Sequence, residues 1–146
     1  MQASWEPQCS EKIPSIMNRC NMQEKIRTEN APQPIGPYSQ AIKATGNLVF
    51  VSMQIPLTPS GEMIDEDIHS QTRQVIENIE SIVNEAGGEL ESIVKVMVYM
   101  KDLGQFVQMN TVYEEFFNKS KPARGAVQVA EIPKGALVAM EAIAVI

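Results

Sequence analysis

The chain has 146 residues and a formal net charge of −6. This length fits one domain better than two, and a domain of this size can hold a hydrophobic core without disulfides. The lysines and arginines are scattered, whereas phosphate backbones attract clustered positive charge, so a general nucleic-acid binder is not expected. No apolar run approaches the roughly 20 residues that a membrane span requires, so no membrane association is expected.

The first 25 residues differ from the rest of the chain. They contain two prolines and mixed polar residues without a period of 2 or 3.6, which predicts a flexible N-terminal extension before a single domain over residues 26–146. Cys9 and Cys20, the two cysteines of the chain, both lie in this extension. The lack of a disulfide framework and of an apolar signal-peptide stretch predicts a cytoplasmic protein.

The next segments carry strand and turn signals. Residues 31–37 contain three prolines and predict extended backbone. Residues 39–45 and 48–52 predict two strands joined by a turn at Gly46 and Asn47.

A long amphipathic helix is predicted over residues 65–86. Asp65 or Asp67 is suited to cap its N-terminus, and the glycine pair at positions 87 and 88 is suited to end it. The apolar positions recur at spacings of three and four, so they share one face. They are Ile68, Thr72, Val75, Ile76, Ile79, Ile82, Val83 and Ala86.

The remaining segments complete the predicted fold. Residues 93–100 are apolar at nearly every position, which is typical of a strand buried on both faces. A second helix is predicted over residues 102–118, and two last strands over residues 126–130 and 137–146, separated by a turn at residues 132–135. This order indicates an α+β sandwich with both helices on one face of a sheet. The apolar stripe of the second helix is Phe106, Met109, Tyr113, Phe116 and Phe117.

The last strand is apolar on both of its faces. Alternate residues of a strand point to opposite sides. One side carries Leu137, Ala139, Glu141, Ile143 and Val145, and the other carries Val138, Met140, Ala142, Ala144 and Ile146. Two helices cover one face of a sheet, and a large apolar surface in water usually marks an interface. The pattern therefore predicts a homo-oligomer.

The residue types present argue against two common kinds of functional site, a metal site and a catalytic triad. His69 is the one histidine and no cysteine follows position 20, so neither a metal site nor a Ser-His-Asp triad is expected. Arg124 is the notable side chain, because the sequence Lys-Pro-Ala-Arg-Gly fixes its backbone at the start of a strand. Its guanidinium can bind a carboxylate at two points, and a structural salt bridge is the alternative that the residue by itself favours.

Several motifs occur in a fixed order over about residues 25–146. They are Gly36-Pro-Tyr-Ser-Gln-Ala41, Val51-Ser-Met-Gln-Ile-Pro56, Gln71, Asn78, Ala86-Gly87, Val94-Lys95, Asp102-Leu103, Phe106, Asn110, Tyr113, Phe117, Pro122-Ala-Arg124 and Ile132-Pro-Lys134. This ordered set resembles the Rid family, also called YjgF or L-PSP. The resemblance implies an α+β fold like that of the trimeric bacterial chorismate mutase, in which three sheets form a barrel-like core.

The resemblance also implies an activity. A homotrimer would bind small carboxylate-bearing ligands between its subunits and hydrolyse reactive 2-imino acids to 2-keto acids and ammonia, without a metal or an organic cofactor. Arg124 would clamp the carboxylate, Tyr38 and Ser52 would line the pocket, and Asn110 would shape it across the interface. The implied substrate-binding set is Tyr38, Ser52, Met53, Asn110, Arg124, Gly125 and Ala126.

The chain departs from the family pattern at the pocket. Ala139 stands where the family commonly has a glutamate that helps to hold water, which leaves Glu141 as the candidate for that catalytic role. Met53 replaces a glycine and would narrow the pocket, and the loop over residues 118–121 is short.

Three functions follow from these residues. The favoured one is an imine deaminase that works through Arg124 and Glu141. The alternatives are a non-catalytic binder of small carboxylates that uses the same pocket, and an L-PSP-type endoribonuclease, against which the acidic charge and the lack of a basic cluster weigh.

Overall fold

A computed structural model describes residues 22–64 and 67–146, and the structural statements below concern that part of the chain. Six strands and two helices follow one another in it. They are β1 (Met22–Ile26), β2 (Ala41–Thr45), β3 (Leu48–Gln54), α1 (Ile68–Glu85), β4 (Ile93–Met100), α2 (Phe106–Phe117), β5 (Ala123–Gln128) and β6 (Val138–Val145). No helix among these residues is long and apolar enough to span a bilayer.

The strands form two sheets. The main sheet has the order β3-β6-β4-β5, in which β6 runs antiparallel to both neighbours and β4 and β5 run parallel. The second sheet pairs β1 with β2. The predicted turn at Gly46 and Asn47 therefore joins two strands of different sheets, and β2 and β3 do not pair as a hairpin. The backbone of Asn47 instead exchanges two hydrogen bonds with Ile146, which directs β3 alongside β6.

The N-terminal boundary also differs from the prediction. Residues 22–25, assigned to the extension, belong to β1, whose five side chains are all exposed. An exposed strand without apolar alternation gives no signal in the sequence. The expected flexibility of the extension falls on residues 1–21, with both cysteines, and these lie outside the described residues.

Helix α1 begins three residues later than predicted because Asp67 is its N-cap. The Asp67 carboxylate accepts a hydrogen bond from the backbone N–H of Ser70, and this bond lowers the pKa of the carboxyl. Asp65, the other candidate cap, lies outside the described residues. His69 is exposed at the helix start, 3.8 Å from the Asp67 carboxylate.

The buried face of α1 follows the predicted period except at its C-terminal end, where Ile82 is 39% exposed. Gln71 is buried beside the apolar residues, which the apolar period does not predict. Its amide donates to the carbonyl of Ile64 and accepts from the backbone N–H of Leu137, so it ties α1 to the start of β6.

The glycine pair after α1 has two separate roles. Gly87 has a φ of +87°, the left-handed conformation that ends a helix, and a Cβ there would meet nothing within 4 Å. A Cβ on Gly88 would lie 2.6 Å from Cγ2 of Ile146.

We expect Gly88→Ala to lower the free energy of unfolding by about 1–3 kcal/mol through overpacking, measured by urea denaturation. Gly87→Asn is the control, because asparagine tolerates the left-handed region. A Gly88→Ala protein as stable as the wild type would contradict this packing.

The main core lies between the two helices and one face of the main sheet. It contains Val96, Val98 and Met100 of β4, all fully buried. On the other face of β4, Lys95 is exposed and Tyr99 is partly exposed, so burial on both faces is not found within one chain. The order of the elements and the placement of both helices on one face agree with the predicted α+β sandwich.

The helix-free face of the main sheet, here called the open face, is apolar and largely uncovered. Phe50 of β3 is 71% exposed, and it is paired in register with Ile143 of β6. One end of this face is covered by loops, which bury Ala139 in a small apolar cluster. The remainder forms a shallow cavity of about 400 Å³. The predicted second apolar face is therefore present.

Candidate functional site

Arg124 lies at the start of β5, under the N-terminal half of α2. One of its guanidinium nitrogens, Nη1, donates to Oδ1 of Asn110 at 2.6 Å. The side chain is partly buried, and no carboxylate of the described residues forms an ion pair with it. The structural salt bridge that the sequence allowed is thus not found there, and the guanidinium keeps donors for another anion.

Three aromatic rings surround this guanidinium. Its central carbon lies 4.6 Å from the ring centroid of Tyr113, 5.3 Å from that of Tyr38 and 5.4 Å from that of Phe106. At these distances the ring faces attract the cation. Removal from water lowers the pKa of Arg124 from its ordinary value, and the nearby tyrosines partly oppose this effect. The site therefore holds a cation in a partly dry aromatic environment.

The helix α2 supplies most of this environment. Phe106, Asn110 and Tyr113 are spaced by four and three residues, so they share one face of the helix. The Tyr113 hydroxyl is buried and has no hydrogen-bond partner among the described residues. Burial raises the pKa of Tyr113 well above its ordinary value. Phe106 and Tyr113 were expected only in the apolar stripe of this helix, and their spacing from Asn110 is the signal that could have added them to the site.

Asn110 was expected to reach the pocket across a subunit interface. The observed contact joins Asn110 and Arg124 of one chain. Tyr38, which was expected to line the pocket, lies with its ring beside the Arg124 guanidinium, and its hydroxyl accepts a hydrogen bond from the backbone N–H of Ile35. Arg124, Tyr38 and Asn110 are the predicted site residues that one chain brings together.

The candidate catalytic Glu141 lies on the other face of the sheet. Arg124 is in register with Val96, which is buried beneath the helices, so Arg124 is on the helix-covered face. Glu141 is in register with Met97 and is exposed on the open face. Within one chain, Glu141 therefore cannot hold a water for a ligand on Arg124.

Ser52 and Met53 are also remote from Arg124. They belong to β3, and Arg124 belongs to β5, at opposite edges of the four-stranded sheet. Adjacent strands are about 4.8 Å apart, so the backbones of the two edges are about 14 Å apart. Ser52 instead lines the 400 Å³ cavity of the open face together with Glu141 and Lys95.

The two residues after Arg124 serve packing in this chain. Gly125 is in register with Met97, and a Cβ on it would lie 2.5 Å from the Met97 sulfur. Ala126 packs against the main core. Neither contact involves the Arg124 guanidinium.

Ala139, expected from the resemblance to stand where the family commonly has a glutamate, is fully buried. It lies in register with Tyr99, and the surrounding apolar cluster includes Ile132 and Ala136. Desolvation, followed by the nearby Glu141 carboxylate, raises the pKa of Tyr99. In residues 22–64 and 67–146 no three His, Cys, Asp or Glu side chains lie together as ligands of a metal ion would.

Comparison with known proteins places the chain in a family. The model of a family described as Endoribonuclease L-PSP matches residues 28–146. The chain is 56% identical over 124 residues to the RutC family protein PH0854 of Pyrococcus horikoshii, covering 84% of this chain and 98% of that protein. It is 45% identical over 127 residues to the 2-iminobutanoate/2-iminopropanoate deaminase of Salmonella typhimurium, covering 85% of this chain and 98% of that enzyme.

A solved structure agrees with the fold. The crystal structure of Escherichia coli TdcF with bound serine superimposes with a TM-score of 0.65 at 41% identity, covering 84% of this chain and 98% of that chain. The mixed sheet with two helices on one face is the chorismate-mutase-like α+β architecture that the resemblance implied. From the family match and these identities, the chain belongs to the Rid family, also known as the YjgF, L-PSP or RutC family.

Proposed function

We propose that this protein hydrolyses small 2-imino acids to 2-keto acids and ammonia, with Arg124 binding the substrate carboxylate. The observation that carries the proposal is the guanidinium itself. It is partly buried, is held by Asn110, is surrounded by three rings and has no carboxylate partner among the described residues. The deaminase name of the Salmonella relative supports the reaction class.

The chemistry requires little beyond positioning. Binding the carboxylate on Arg124 fixes the adjacent imine carbon and reduces the negative charge next to it, which favours attack by water. Water adds to the carbon of the C=N bond, the nitrogen takes up protons, and the C–N bond breaks to release ammonia and leave the keto group. In this proposal the aromatic rings limit the motion of the guanidinium and exclude competing water.

We further propose that the pocket is completed between subunits of a homotrimer. The open face supports this assembly, because Phe50 and its apolar neighbours are uncovered in one chain. The separation of Ser52, Met53 and Glu141 from Arg124 supports it too, since a neighbouring copy can supply the half that one chain lacks. Light scattering should give three times the 16.2 kDa mass of the chain. A monomeric mass would contradict the trimer.

The expected cytoplasmic location stays a prediction.

Turnover tests the proposed reaction. We would generate 2-iminobutanoate in place with an amino-acid-dehydrating enzyme and follow its disappearance with and without this protein. We expect the purified wild-type protein to accelerate the loss of the imine, with a rate proportional to its concentration. An unchanged rate at protein concentrations that bind 2-oxobutanoate would contradict the deaminase.

One observation favours a second candidate, a binding protein without turnover. Ala139 is apolar and fully buried. The resemblance places it where the family commonly has a glutamate that helps to hold water. Loss of a general acid or base typically lowers a rate by about 10²- to 10⁴-fold. Binding of 2-oxobutanoate without turnover would support this candidate over the deaminase.

A further inference from the structure

A second concave surface lies beside the Arg124 site. This surface, here called the Lys25 groove, has a volume of about 280 Å³ and is formed by the end of β1, the β1–β2 connection and the residue before Pro122. Its lining residues are Lys25, Ile26, Arg27, Gln33, Pro34, Gly36, Tyr38, Ser39, Gln40 and Lys121. The candidate site described above uses only its Tyr38 wall.

The charge of the groove has one sign. Lys25, Arg27 and Lys121 line it, and none of its lining residues is an aspartate or a glutamate. Within the described part of the chain none of these three cations forms an ion pair with a carboxylate. Other cations of this acidic protein do form such pairs: Lys43, Arg73, Lys101 and Lys119. Of the six described lysines and arginines without a carboxylate partner, three therefore line one groove, where a small anion could lie. The Lys25 ammonium also donates to the backbone carbonyl of Lys119 at 3.0 Å.

The backbone around the groove is cross-linked by side chains. The Gln40 amide accepts from the N–H of Thr28 at 2.7 Å and donates to the carbonyl of Pro32 at 2.9 Å. Gln33 donates to the carbonyl of Thr28 and accepts from Nε of Arg27 at 2.9 Å. This bond directs the exposed Arg27 side chain along the groove wall and leaves its terminal N–H donors for an anion.

Lys121 reaches the groove through an unfavourable backbone conformation. Its φ is +48°, in the left-handed region that a lysine rarely adopts. Its N–H donates to the carbonyl of Phe117 at 2.8 Å, and its carbonyl accepts from the Ser39 hydroxyl. Such strain costs on the order of 1–3 kcal/mol and persists where the surroundings enforce it, often at ligand sites.

Gly36 connects the groove to Arg124. It lines the groove with a φ of +127°, and a Cβ on it would lie 3.8 Å from Nη2 of Arg124. No side chain at this position therefore stands between the groove and the edge of the guanidinium that Asn110 leaves free. Tyr38 forms the adjoining wall and contacts Arg124 with its ring.

We infer that the Lys25 groove binds a second carboxylate of the ligand whose first carboxylate lies on Arg124. The preferred ligands are then 2-keto and 2-imino acids with two carboxylates. This inference rests on the proposed role of Arg124 and adds a substrate class to it. Lys25, Arg27 and Lys121 supply the charge for the distal carboxylate, and Gly36 leaves the path between the two subsites open.

Calorimetry with 2-oxoglutarate and 2-oxobutanoate tests the inference on the whole protein. We expect the wild type to bind the dicarboxylate at least about tenfold more tightly at low salt, and the preference to shrink as salt is added. Lys25→Gln/Arg27→Gln should abolish the preference and leave 2-oxobutanoate binding unchanged. Lys101→Gln/Lys134→Gln removes the same net charge from residues that do not line the groove and should keep the preference.

The outcomes separate the inference from the proposed function. Arg124-dependent binding of 2-oxobutanoate without any preference for the dicarboxylate would overturn the groove assignment and leave the proposed function standing. An equal loss of preference in the Lys101→Gln/Lys134→Gln control would also overturn it, because net charge rather than the groove would then be responsible. Binding of neither keto acid would overturn both.

Discussion

Arg124→Met should weaken 2-oxobutanoate binding at least about 100-fold and leave the fold intact. Hydrogen bonds to a charged group contribute about 1.5–3 kcal/mol each, and a two-point contact contains two of them. Methionine preserves most of the volume among Tyr38, Phe106 and Tyr113. The variant loses the bond to Asn110 and the ring contacts, but it no longer buries a cation without a carboxylate partner. We therefore expect the free energy of unfolding to change by less than about 2 kcal/mol.

Arg73→Met is the matched control for this experiment. Arg73 also lies over an aromatic ring, that of Phe116, and it forms an ion pair with Glu115 on the surface. Its replacement should leave ligand binding unchanged. Unaltered 2-oxobutanoate affinity in Arg124→Met would remove the basis of the proposed function. Collapse of the fold in that variant would show that the arginine is a structural residue.

Ala139→Glu should destabilise the protein rather than simply restore the family's carboxylate. The position is fully buried in an apolar cluster, so an ionised glutamate there loses its water. We expect a loss of about 3 kcal/mol or more in the free energy of unfolding at pH 7, measured by urea denaturation. Ala139→Gln, which has nearly the same volume without charge, should lose less.

The pH dependence of this loss has a definite sign. Burial raises the pKa of the introduced glutamate in the folded state, so the folded protein binds the proton more tightly than the unfolded chain. The stability of Ala139→Glu should therefore equal that of Ala139→Gln below about pH 4, the ordinary glutamate value, and fall behind it as the pH rises. Equal stability of the two variants at pH 7 would show that water reaches position 139 in the assembled protein, and the deaminase would gain support.

The sequence contains enough information for most of the fold. The spacing of apolar residues located α1 and its buried face, and the apolar run over β4 gave its bounds without error. Strand β1 was not predicted, because none of its side chains is buried and the sequence therefore shows no apolar alternation. The pairing of Asn47 with Ile146 could not be seen either, since it joins residues about 100 positions apart.

The site was predictable only where local sequence signals mark its residues. The Pro-Ala-Arg-Gly context singled out Arg124, and the family motif added Tyr38 and Asn110. The sequence does not say which face of the sheet each residue occupies relative to its neighbours, and register decides this. Glu141 and Arg124 were therefore predicted to act in one site. The pairing of β6 and β5 with β4 instead places them on opposite faces of the sheet.

Because the site is divided between two faces of one sheet, a defect in one chain has a definite effect on the number of active pockets in the proposed trimer. Each chain would give its Arg124 to one pocket and its Ser52 edge to the next. A chain with a defective arginine would then inactivate one pocket and still complete its neighbour's. In a mixed population, the active fraction would follow the proportion of intact arginines in a graded way, and two chains with different defects would restore a working pocket at the junction where their intact halves meet.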